Sequence, residues 1–145
     1  MSKAYLILKA FFLVLIAVQA NASLPTAQLA TIQLVKKPTN APHFQACVPA
    51  VSCHIILDTA LETQGFVDVV NTSTVTATNV RANIPFSDVT NNSVCTTILP
   101  GATCRLVFGP AIMDHPTTCI PIVGDNTNTI YFELEVLTSA LRKLI

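Results

Sequence analysis

A two-residue alternation of apolar and polar side chains, repeated in short stretches, restricts this chain more than any other feature. Ile32 and Leu34 alternate with Thr31, Gln33 and Val35, and Val80, Ala82 and Ile84 alternate with Asn79, Arg81 and Asn83. Cys104, Leu106 and Phe108 oppose Arg105 and Val107, while Phe132, Leu134 and Val136 oppose Tyr131, Glu133 and Glu135. Successive side chains of a strand point to opposite faces, so each stretch reads as a strand with one face in a core. Shorter extended pieces fit residues 52–58, 65–70, 94–99 and 118–123. Turn signals fall at Gly65, 71–73, 91–93, Pro100-Gly101, Gly109-Pro110 and 124–128,. No dozen-residue window carries a 3.6-residue apolar stripe, except that Ser139 caps a short terminal helix over 139–145 if that tail is not frayed,. Strands at roughly ten-residue spacing predict an all-β, antiparallel two-sheet sandwich of about seven or eight strands with Greek-key connections. Its expected core is Ile32, Leu34, Val69, Val80, Ala82, Ile84, Leu106, Phe108, Ile122, Phe132, Leu134 and Val136.

The first 22 residues have the layout of a secretory signal peptide. Lys3 and Lys9 supply positive charge, an apolar run follows over 10–18, and Ala20-Asn21-Ala22 offers small residues at a cleavage site,. The apolar stretch is interrupted by Lys9 and is shorter than the roughly 20 residues a bilayer span needs,. The chain is therefore expected to be exported to the periplasm, the cell surface or the medium, with no stable membrane span after cleavage. Residues 23–62 form N-terminal strands and a Pro-rich loop, 63–137 the sandwich core, and 138–145 a tail. Within 36–52, Pro38, Pro42 and Pro49 would each remove a ladder donor, so this stretch reads as a long loop,. Loops of that length are uncommon unless functional or disordered, which makes it the first place to look for individuality.

Charge excludes one class of partner. The 145 residues carry eight basic and eight acidic groups, and losing Lys3 and Lys9 leaves a slightly acidic mature chain. A sequence-independent nucleic-acid binder needs a basic patch that this composition does not supply.

Export permits disulfides, and all five cysteines (47, 53, 95, 104 and 119) follow the signal segment,. An odd count leaves one thiol over. Cys95 and Cys104 flank Pro100-Gly101, which suits a type II turn between two hairpin arms, and this pair is favoured,. Its closure contributes about 2.5–3 kcal/mol through loop entropy. Cys47 with Cys53 is the second expected pair, leaving Cys119 as the odd thiol; buried unbridged thiols are the alternative for each pair.

The segment Val69-Val-Asn-Thr-Ser-Thr-Val-Thr-Ala-Thr-Asn-Val80 resembles the opening of the immunoglobulin-like repeats found in bacterial surface and exported proteins. The stretch from Cys95 to Phe108, containing Leu99-Pro-Gly-Ala-Thr-Cys104, is similar to a hairpin of the same repeats, and Gly124-Asp-Asn-Thr-Asn-Thr129 to their closing turn. The resemblance covers about residues 63–137 and implies a non-catalytic immunoglobulin-like β-sandwich with spacer or adhesive uses. This chain holds one copy, which sets it apart from a stalk of repeats.

Motifs of catalysis are sparse. The four glycines are isolated, so no phosphate cradle is written, and neither a G-x-S-x-G elbow nor an H-E-x-x-H helix occurs,. Cys53 and His54 are adjacent, hence on opposite faces of a strand, and cannot act together as nucleophile and base. His43 and His115 are the other bases for a cysteine nucleophile, although loop histidines are the commoner case. Met113, His115 and Cys119 are soft and borderline ligands of the kind that hold copper, but their order is the reverse of the usual one and a second histidine is needed,. The competing reading packs Met113, places His115 in a turn before Pro116 and starts a strand at Cys119. Glu133 and Glu135 share a strand face opposite the apolar stripe, so they are expected to be solvated. The expected role is thus an exported binding or structural module, not an enzyme and without a cofactor, whose partner is a protein or envelope component. A small copper or redox protein and an exported inhibitor or chaperone-like binder are the alternatives.

Overall fold

The computed structural model describes residues 27–35, 46–48, 51, 53–61, 63–91 and 93–137. The signal segment expected over 1–22, most of the 36–52 loop and the 138–145 tail lie outside the described residues. The strands are β1 (Ile32–Leu34), β2 (His54–Asp58), β3 (Gly65–Asn71), β4 (Ala77–Ala82), β5 (Cys95–Ile98), β6 (Thr103–Phe108), β7 (His115–Val123) and β8 (Ile130–Leu137), with a 3-10 turn at Thr59–Leu61. Each overlaps an extended stretch read from the sequence, but β4 ends at Ala82, short of Ile84, and β7 begins at His115, which the sequence reading placed in a turn ahead of the strand.

The strands form two sheets, ordered β1-β3-β6 and β2-β8-β7-β4-β5, facing each other across one apolar core. Of the expected core residues, Leu34 and Ile84 are partly buried against the cluster and the others are fully buried. Phe108 of the smaller sheet stacks on Phe132 of the larger at 5.3 Å between ring centroids. Gly65 belongs to this interface for a steric reason. A Cβ there would stand 2.7 Å from side-chain atoms of both Ile55 and Phe108, so the sheets approach as closely as they do only over a glycine,.

Two features differ from the expected antiparallel hairpin arrangement. β2 runs parallel to β8, with His54 opposite Glu133 and Asp58 opposite Leu137, so the larger sheet is mixed. β5 and β6 do not pair as hairpin arms; β5 pairs with β4 in one sheet and β6 with β3 in the other. The Pro100-Gly101 turn is therefore a corner between sheets. Its local chemistry is as expected: Gly101 has φ 74°, and the Ala102 N–H bonds the Leu99 carbonyl at 3.0 Å,. The Cys95–Cys104 bridge forms as expected, but it staples the two sheets and not two arms of one.

Asn71 holds this corner. It is completely buried, exchanges backbone bonds with Gly101 and Ala102, and its side-chain amide donates to the carbonyls of Val75 and Ile98 at 2.8 and 2.9 Å. Its Oδ1 accepts from the Ser73 N–H and hydroxyl. Asn126 does the same for the neighbouring turn, donating to the Thr76 carbonyl and accepting from the Thr78 N–H.

Candidate functional site

Two polar constellations are built on this frame, one at an end of the sandwich and one on the outer face of the larger sheet.

The first is centred on Asp88, whose side chain is only 5% exposed. Asp88 Oδ2 accepts the N–H groups of Ile112 and Met113 at 3.2 and 3.0 Å, and Oδ1 lies 2.6 Å from His115 Nε2. The His115 ring stacks on Phe86 at 3.9 Å. Burial pushes the Asp88 carboxyl up, but the bonds from His115, Met113, Ile112 and its own N–H outweigh burial, and its pKa falls below the ordinary 3.8,. The loop over 109–114 is thereby fastened by its backbone, while the side chains of Ile112 and Met113 stand 78% and 54% exposed. Leu61, also exposed, follows β2 at the same end, where Asp58 pairs with Leu137 and His115 with Val136.

A depressed carboxyl pKa sets the sign of a pH effect. Stability from Asp88 is complete above the unfolded value near 3.8 and is lost as the pH falls through the lower folded value,. Asp88→Asn is expected to be less stable than wild type at neutral pH and to lose less stability between about pH 5 and 2. Urea melts of both proteins across that range check this, and identical acid slopes would contradict it.

The second constellation corrects three expectations. Cys47 bonds Cys119 (Cα–Cα 4.9 Å, 72 residues apart), so the Cys47–Cys53 pair does not form and Cys119 is not the odd thiol. Cys53 takes part in neither bridge and is buried in the core. The reason is strand parity. Ile120 and Ile122 point into the core, which turns Cys119 outward, whereas Cys53 shares the inward phase of Leu57. The outward sulfur is reached by Cys47, on a segment that crosses the outer face of the sheet.

That crossing overturns the expected exposure of Glu133. Glu133 lies opposite Cys119 on β7 and His54 on β2 and is completely buried, with Ala46 and Cys47 of the crossing segment against its carboxylate. Water is replaced by the N–H groups of Ala46 and Cys47, which donate to Oε1 at 2.6 and 2.9 Å,. His54, whose side chain is 3% exposed, places Nδ1 3.7 Å from Glu133 Oε2 and Nε2 3.2 Å from Glu135 Oε2. Glu135 keeps 17% of its side chain exposed. Sequence reasoning separated His54 from Cys53 correctly but did not join it to the glutamates, because the pairing of β2 with β8 is parallel and distant in sequence.

The copper candidates are dispersed. Met113 is exposed on the end loop, His115 is held by Asp88 and Phe86, and Cys119 is half of a bridge on the outer face. His43, the other candidate base, lies outside the described residues. No known protein family matches this chain, and no curated protein matches it either.

Proposed function

We propose that this chain is an exported, non-catalytic immunoglobulin-like module that binds a protein or envelope component through the end of the sandwich carrying loop 109–114. One observation carries the reading: Ile112 and Met113 stand in solvent although their backbone is tied to a buried carboxylate. A loop fastened in this way cannot turn those side chains inward, and a preformed apolar tip loses less entropy on binding. The immunoglobulin-like assignment is supported by the Asn71 corner, where the first two resembling segments meet. Export is supported by the two disulfides,. No helix among the described residues is long and apolar enough to cross a membrane.

The test places a photo-crosslinking residue at Ile112 and, as a control, at exposed Tyr131 in the processed protein, then recovers adducts from envelope fractions. Adducts are expected from position 112 and not from 131. Ile112→Ala with Met113→Ala is expected to weaken capture about tenfold or more while stability stays within about 0.5 kcal/mol. Undiminished capture by that variant would move the binding surface elsewhere.

A further inference from the structure

We propose that the outer edge of β1 is a surface through which two copies of this chain can pair, and that the side chain of Asn128 holds it shut. The edge lies on the other side of β3 from β6 and the loop 109–114 that follows it, so it stands apart from the proposed binding role.

The hydrogen-bond parity of β1 sets which peptide groups face outward. Gln33 pairs with Val70, the Val35 N–H bonds the Asp68 carbonyl at 2.9 Å, and the Thr31 carbonyl accepts from the Thr72 N–H at 2.9 Å. Residues 31, 33 and 35 thus turn their peptide groups toward β3, and Ala30, Ile32 and Leu34 turn theirs away from it. β1 is the outermost strand of its sheet, so this outward row is an edge,.

The turn before β8 meets that edge. The Asn126 carbonyl accepts the Ala30 N–H at 2.7 Å, and the Asn128 N–H reaches the Ala30 carbonyl at 3.4 Å. The Asn128 side chain continues the row: Oδ1 accepts the Ile32 N–H at 2.7 Å and Nδ2 donates to the Ile32 carbonyl at 3.1 Å. A carboxamide carries the donor and acceptor of a peptide unit, so Asn128 gives Ile32 the two bonds that a residue of a neighbouring strand would give.

The composition of β1 makes the seal matter. Leu29-Ala-Thr-Ile-Gln-Leu-Val35 has no charge, proline or glycine and is rich in strand formers, the character of segments that pair with copies of themselves,. Leu29 and Val35 at its ends are exposed. Lys36-Lys37-Pro38 follow at once, charges and a proline of the kind that guard such segments,. Ile32 is completely buried, so β1 stays on its own sheet and offers a partner only its edge.

The occupant is therefore β1 of a second copy. With Ala30 kept by the 126–128 turn, Ile32 and Leu34 are the residues that pair. An antiparallel twofold centred on Gln33 sets Ile32 opposite the partner's Leu34, each such pair exchanging both N–H···O bonds. It also sets the two exposed Gln33 side chains directly opposite one another,. Asn128 and the second copy compete for the same two groups of Ile32, so closure and pairing exclude each other.

The experiment follows the mass of the processed protein by sedimentation from micromolar to millimolar concentration, with circular dichroism confirming the fold. Wild type is expected to remain a monomer and Asn128→Ala to double in mass while keeping its sheet signal. Adding Gln33→Lys or Gln33→Glu to Asn128→Ala places like charges opposite each other, and should raise the concentration of half-association about fivefold or more at low ionic strength. An equimolar mixture of those two double variants should bring it back down, a response that aggregation of unfolded chains would not show. If Asn128→Ala loses its sheet signal, Asn128→Ser, too short to span both groups of Ile32, takes its place. The proposal is overturned if wild type is already a dimer, if the folded variant stays monomeric, or if association ignores the charge at position 33. It is equally overturned if neither variant folds, which would make Asn128 an anchor of the fold and not a seal on an edge.

Discussion

Phe132→Ala is expected to destabilise the protein by about 3–5 kcal/mol, a large share of the 5–15 kcal/mol typical of a domain. Phe132 is fully buried in β8, near the middle of the larger sheet, and stacks on Phe108 of the opposite sheet. Truncation removes both the transfer energy of the ring and the aromatic pair, and two sheets stapled by the Cys95–Cys104 bridge cannot collapse freely around the cavity,. Urea melts should show a lower midpoint with an unchanged slope, while Tyr131→Ala, one residue away on the exposed face, should change little,. A loss below about 1 kcal/mol for Phe132→Ala would mean that β8 does not present this phase to the core.

Replacing Cys47 and Cys119 together by Ser should cost about 4 kcal/mol, more than the 2.5–3 kcal/mol or so expected for Cys95 and Cys104. The longer bridge closes 72 residues of separation and the shorter closes 9, and loop-closure entropy grows with length,. A second effect has the same sign. Without the bridge the strap over 46–48 is free to leave, and the Glu133 carboxylate loses the two N–H donors that replaced its water,. Parallel denaturation of the two double variants checks the order. If removing the Cys95–Cys104 bridge were the costlier change, the strap would contribute less than its loop length implies.

The alternation around Val80, Leu106 and Phe132 located those strands because burial on one face demands a period of two, and nothing distant in sequence alters that demand,. The Pro100-Gly101 turn was equally local: a positive φ at the third position calls for glycine, and Gly101 has φ 74°,. The same locality misled elsewhere. Two strands around a tight turn suggest a hairpin, but β5 and β6 part into different sheets, since Asn71 ties the turn to β3. The Cys119 parity was readable from Ile120 and Ile122, yet which of the loop cysteines reached it was not.

The candidate site shows the same division. The sequence alone determined the strand phases, the turn chemistry and the two-sheet class, because these depend on neighbours within a few residues. It favoured the Cys95–Cys104 pair on the expectation of a hairpin, and the pair forms between two sheets instead. Only the tertiary structure decided that β2 lies parallel to β8, that residues 46–48 cross the outer face, and that Glu133 is dry. A side chain's phase on its strand is set by its neighbours along the chain. Whether water reaches it is set by what folds over it, and here that cover comes from a segment more than eighty residues away.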